Sequence, residues 1–108
     1  MIFRIKPVAA LAGAALWLAA GAGPAAADTD IAVKDYAFAP AALDVKAGET
    51  VTWTNGDDSP HQLVAVDKSF RSPALDTGDH YSRTFATPGT YKYFCSLHPQ
   101  MVGTVVVH

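Results

Sequence analysis

From residue 28 onward the chain is a succession of short apolar runs, each broken within a few residues by Gly, Pro, Asp or Asn. In order they are Ile31–Lys34, Ala42–Lys46, Thr50–Asn55, Gln62–Val66, Tyr81–Ala86, Thr90–Cys95 and Gly103–His108. Leu43/Val45, Val51/Trp53 and Tyr91/Tyr93/Cys95 alternate with polar neighbours, so each set occupies one face of a half-buried strand. Turn chemistry separates the runs at Lys46-Ala47-Gly48-Glu49, Asn55-Gly56-Asp57-Asp58, Thr77-Gly78-Asp79 and Thr87-Pro88-Gly89. No window offers a helix-length apolar stripe, which leaves an all-β sandwich or small barrel of about seven strands. The interval Asp67–His80 is polar and dotted with Gly and Pro, and reads as a loop with room for a short edge strand.

The apolar content is uneven. Of the 54 apolar residues among 108, 20 fall in residues 1–27, where Arg4 and Lys6 precede an apolar run from Val8 to Ala20. Ala25 and Ala27 stand at the small-residue positions before Asp28, the order of a cleavable secretory signal peptide. The strongly apolar part is too short for the ~20 residues a spanning helix needs. Gly21, Gly23 and Pro24 break it further. No Cys follows the expected cut and no Arg pair precedes the run, which argues against a lipoprotein and against export in the folded state. The expected division is therefore 1–27 as a leader and 28–108 as the working domain, periplasmic or secreted, meeting any cofactor outside the cytoplasm and not inserted in a membrane once cut.

That domain keeps 6 Lys+Arg against 10 Asp+Glu, a charge of −4, so no basic field exists to hold nucleic acid. Its single Cys excludes an internal disulfide and any four-cysteine metal site within one chain. Yet Cys95, His98 and Met101 recur at intervals of three just after a strand run, and Pro99 opposes continuing that strand as a central one. A tight connection can turn all three side chains to one point. A thiolate, an imidazole and a thioether form a set suited to copper in both oxidation states. His61, after Pro60 at the start of an apolar run, is the candidate fourth donor. Taken singly, a buried Cys, a core Met and a strand-edge His are ordinary; their joint placement between strands of one sandwich is not. His80 and His108 read as exposed and incidental.

The segment from Cys95 to Met101, followed by Val102-Gly103-Thr104-Val105-Val106-Val107, resembles the cupredoxin family of small blue copper proteins. Its His-x-x-Met spacing resembles the amicyanin subgroup. Val51-Thr52-Trp53-Thr54-Asn55 with Pro60-His61 is similar to the family's strand and first copper histidine. The resemblance implies a Greek-key sandwich of seven to eight strands holding one type 1 copper ion. His61, Cys95 and His98 would then be the strong, near-planar ligands and Met101 the weak axial one. It also implies a monomer, not an enzyme, that shuttles single electrons between transient redox partners docking at the His98 edge. Leu97, Pro99, Pro60 and Met101 would form the apolar rim there. One departure stands out: many members carry Asn after the first histidine, tying the two ligand-bearing loops together, and this chain has Gln62.

Two other classes use the same residues. Copper delivery or buffering outside the cytoplasm would draw on the same four ligands. A thiol enzyme would use Cys95 with His98 or His61 as base, and its weakness is that the sequence places no convincing Asn or Asp to orient that base.

Overall fold

A computed structural model describes residues 28–108, and the leader expected over 1–27 lies outside the described residues. Eight strands form: β1 Asp28–Lys34, β2 Ala37–Ala39, β3 Ala42–Val45, β4 Thr50–Asn55, β5 Leu63–Ala65, β6 His80–Thr84, β7 Gly89–Cys95 and β8 His98–Val107. They build two four-stranded sheets, ordered β2-β1-β4-β6 and β3-β8-β7-β5. The chain crosses repeatedly between the sheets, so β1 lies parallel to β4 and β3 parallel to β8, while the other pairs are antiparallel. This is the Greek-key sandwich that the resemblance implies.

Period-two patterning decides which side chains face inward. Ile31 and Val33 of β1, Val51, Trp53 and Asn55 of β4, Tyr93 and Cys95 of β7, and Val105 and Val107 of β8 are all buried. Trp53 is fully buried, opposite Ile31 in the parallel register. Phe70, Tyr81, Phe85 and Tyr93 surround it with ring centroids at 5.8, 6.0, 6.4 and 5.4 Å. Burial pushes the Tyr93 phenol up to about 12, against a smaller opposing pull from the Trp53 indole N–H. This aromatic cluster links the sheets and stands in for the disulfide the chain lacks.

The structure departs from the sequence expectations at three places. β2 was not expected, because Ala37–Ala39 shows no β-branched run; it forms because β1 turns straight back on itself, pairing Lys34 with Ala37. The Asp67–His80 interval is more ordered than a plain loop, for Phe70, Ser72 and Leu75 are buried and Leu75 bridges to His61. His80 opens β6 rather than lying in that loop, although it is exposed as expected. Finally, β8 begins at His98, five residues before Gly103. Pro99 is tolerated there because β3 pairs only with Thr104–Val107, which leaves the start of β8 without a neighbour on that side.

The hairpin of β7 and β8 depends on Gly103. It lies opposite Tyr93 in the ladder, and the Tyr93 ring lies across it so closely that an added Cβ would overlap the ring. Tyr93 is buried and cannot swing away. Gly103→Ala is therefore expected to cost about 1–3 kcal/mol by overpacking. A lowered urea midpoint with an unchanged m-value checks this.

Candidate metal centre

Three of the four expected ligands, His61, Cys95 and His98, come together at one end of the sandwich. Cys95 ends β7 and points inward by the same alternation that buries Tyr93. A two-residue turn, Ser96-Leu97, returns the chain so that Cys95 pairs with His98. The next paired residues are Phe94 and Val102, so Pro99, Gln100 and Met101 bulge out of register between them. The turn brings Cys95 and His98 side by side, and the bulge accompanies the inward placement of Met101. His61 arrives from the β4–β5 connection, fixed by backbone hydrogen bonds in both directions with Leu75 (3.0 and 2.7 Å).

The metal-binding atoms of His61, Cys95 and His98 lie within 4.8 Å of one another. Cys95 Sγ is 3.5 Å from His61 Nδ1 and 3.8 Å from His98 Nδ1. His61 and Cys95 are fully buried, and His98 is half-buried. Met101 is buried at 3% exposure and belongs to the hydrophobic core cluster that also contains Cys95. It therefore belongs to the interior and not to the surface rim, where it was expected; Leu97, Pro60 and Pro99 are exposed as that rim requires. His108 is exposed with its ring 3.2 Å from Asp44, away from the cluster.

Gln62 does the work expected of an asparagine. Its side-chain carbonyl accepts from the Ser96 hydroxyl at 2.6 Å, and its main-chain carbonyl accepts the Ser96 N–H at 2.9 Å. Its amide N–H donates to the Ser72 carbonyl at 2.9 Å. The longer side chain thus ties the His61 segment to the Cys95–His98 turn and also to the Asp67–His80 interval.

Sequence reasoning passed over two further residues. Asp57 Oδ2 lies 2.9 Å from His61 Nε2. The carboxylate only accepts, so the proton sits on Nε2 and Nδ1 presents its lone pair towards Cys95. The same carboxylate accepts the Asp35 N–H at 2.7 Å and the Tyr36 N–H at 3.0 Å. Asn55, fully buried, accepts the Asp57 N–H at 2.8 Å and donates to the Ser59 and Leu75 carbonyls. Burial pushes the Asp57 carboxyl up, but its hydrogen bonds with the Tyr36 N–H, His61 and the Asp35 N–H outweigh this and hold it below the usual carboxylate range. Asp57→Asn would turn an amide N–H towards donors and is expected to destabilise the metal-free protein by about 2 kcal/mol. Urea unfolding at neutral pH checks it.

Tyr36 is the second. Its ring stands edge-on to both imidazoles, with centroids 5.4 Å from His61 and 4.8 Å from His98. The hints in the sequence were slight: an acidic residue four before His61, and one aromatic in a turn on the far sheet.

Two imidazoles and a thiol at this spacing, with a buried thioether in the same core cluster as the thiol, fit a soft-to-borderline metal such as copper and not a hard oxygen-seeking cation. The orientation of His61 by Asp57 also supplies the base-orienting carboxylate that the thiol-enzyme reading lacked in sequence. However, Cys95 is fully buried and flanked by both imidazoles, where no substrate carbonyl can approach the sulfur.

Comparison with known proteins agrees with this geometry. The sequence pattern of the cupredoxin-like domain matches residues 8–107. Amicyanin-alpha from Methylorubrum extorquens is 40% identical over 100 residues, covering 83% of this chain and 84% of its own. A purple cupredoxin from Nitrosopumilus maritimus shares the fold with a TM-score of 0.71 and 37% identity, over 75% of this chain and 100% of that one. An amicyanin variant in its Cu(I) form gives a TM-score of 0.71 and 32% identity, over 75% of this chain and 82% of that one. Fold, donor cluster and sequence match together place the chain in the cupredoxin-like family.

Proposed function

We propose that the protein holds one copper ion between His61 Nδ1, Cys95 Sγ and His98 Nδ1, with Met101 as a weak further ligand, and passes single electrons between redox partners. The observation that carries this reading is the preassembled donor cluster, two imidazoles and a thiol within 4.8 Å at one end of the sandwich. The amicyanin relatives, among them one described with Cu(I), support it. When bound, copper supplies a one-electron couple, Cu(II) to Cu(I).

The chain's contribution is to hold the donors still. Asp57 fixes the His61 ring, Gln62 fixes the Ser96 turn, and the ladder pair with Cys95 holds His98. Donors that need not move on electron gain or loss keep the reorganisation cost low. The same rigidity disfavours copper delivery, which needs ligands that open and exchange. The half-buried His98, with exposed Leu97, Pro60 and Pro99 beside it, is the proposed edge for transient partners. The thiol-enzyme reading falls on the burial of Cys95, and we assign no enzymatic activity. The apolar stretch within residues 1–27, read as a leader, supports a periplasmic or secreted location; among the described residues no helix is long and apolar enough to cross a membrane.

The test is the visible and EPR spectrum after Cu(II) is added to the metal-free protein. An intense thiolate-to-copper band with narrow copper hyperfine splitting is expected. Weak absorption with ordinary wide splitting, as nitrogen and oxygen ligands produce, would overturn the assignment.

A further inference from the structure

The turn joining β1 to β2 is built against its own preference. Lys34 pairs with Ala37, so Asp35 and Tyr36 form a two-residue hairpin turn. Their φ values are 54° and 57°, both in the left-handed region that type I′ turns require. Asp tolerates this conformation, but the second position ordinarily belongs to glycine, and a bulky aromatic there is an outlier. Such outliers persist where the surroundings hold them and often mark function. Here the surroundings are the Asp57 carboxylate, which accepts both turn N–H groups, and the Ser59 hydroxyl, 2.8 Å from the Tyr36 phenol. Both anchors belong to the segment that delivers His61.

The turn lies in the sheet opposite to Cys95 and His98, yet its aromatic ring reaches across the end of the sandwich onto both imidazoles. Tyr36 is 49% exposed, whereas the His61 ring beneath it is fully buried, as is the Cys95 sulfur between the two imidazoles. Hairpin geometry would be better served by glycine, so the ring's contribution lies in what it covers.

We propose that Tyr36 is the cap of the metal centre: its ring shields the His61–Cys95–His98 cluster from water and small exogenous ligands, and Asp57 positions it. Asp57 therefore holds a ligand and the cap with one carboxylate, so the cap stays in register with the imidazole it covers. The part of this inference that concerns exogenous ligands rests on the copper reading above; the shielding of the thiol does not.

The test separates shielding from stability. Tyr36→Gly removes the ring and relieves the turn, so the metal-free protein is expected to melt no lower than the parent. Its Cys95 is nonetheless expected to react with iodoacetamide roughly tenfold faster, as if about 1.4 kcal/mol were removed from the cost of exposing the thiol. Tyr36→Asn, which also tolerates the turn conformation, should behave alike. Tyr36→Phe, which keeps the ring and loses only the contact with Ser59, should react at the parental rate. In the Cu(II)-loaded protein, azide should shift the visible band of the Gly variant and leave the parent unchanged. An unchanged alkylation rate in both Gly and Asn variants would overturn the proposal. So would equal acceleration in Tyr36→Phe, or in Val66→Ala, a truncation at an exposed site on the other sheet. If the parent develops no thiolate-to-copper band but the Gly variant still alkylates faster, the cap stands and the copper reading falls.

Discussion

Cys95→Ser is expected to leave a folded protein that takes up Cu(II) without the intense visible band. Serine nearly matches cysteine in size, so the β7 end keeps its shape. The change places a hydroxyl in a fully buried position, where His61 Nδ1 at the former 3.5 Å thiol contact offers an acceptor. Loss of stability should therefore stay near about 1 kcal/mol, the range for a buried polar group with a partner. The spectroscopic effect is far larger, because the band arises from charge transfer out of a thiolate sulfur, and the described residues contain one cysteine. Affinity for Cu(I) should fall with it, since the softest donor is gone. Absorption spectra of parent and variant, matched by circular dichroism to show a common fold, check both statements. A surviving intense band would remove Cys95 from the centre and, with it, the type 1 assignment.

Trp53→Ala is expected to bring the metal-free domain to the edge of unfolding at room temperature. Truncating a fully buried tryptophan costs about 3–5 kcal/mol, through lost transfer energy and the cavity left behind. Marginal stability of roughly 0.05–0.15 kcal/mol per residue gives a domain of this size on the order of 4–12 kcal/mol in total. The loss is therefore about a quarter of the stability at the least, and nearly all of it at the lower end. Four aromatic rings pack around Trp53, and their edges cannot all collapse into the space. Copper should rescue the variant in part, because an ion that binds only the folded form stabilises it by mass action. Urea unfolding of the variant, with and without metal, measures the loss and the rescue. A parental midpoint in the metal-free variant would show that the aromatic cluster is not what joins the sheets.

Much of the architecture was readable because it is written locally. Alternation in Thr50–Asn55 and Thr90–Cys95 placed β4 and β7 within a residue of their observed bounds, since one buried face is enough to enforce a period of two. β2 escaped notice for the opposite reason. Three residues between two turns carry too little pattern, and Asp35-Tyr36 lacks the glycine by which a hairpin turn is usually recognised. Phe70 and Leu75 escaped as single apolar residues in a polar stretch, recruited by Trp53 and by the His61 bridge and not by any periodicity of their own.

The centre divides in the same way. Residue types and spacing singled out Cys95, His98 and Met101 as candidates, because one tight connection carries all three, with His61 as the missing imidazole; the structure gathers His61, Cys95 and His98. Asp57 and Tyr36 were beyond the reach of sequence reasoning. What makes Asp57 functional is that the β1–β2 turn, more than twenty residues away in the chain, donates two N–H groups to the oxygens that also face His61. What makes Tyr36 functional is that the opposite sheet carries it across the open end of the sandwich. The sequence by itself determined the all-β class and singled out the candidate donors, because strand alternation and ligand spacing are short-range properties. Only the tertiary structure decided how those donors are oriented, tied and covered, because each of those contacts joins segments that meet when the two sheets close.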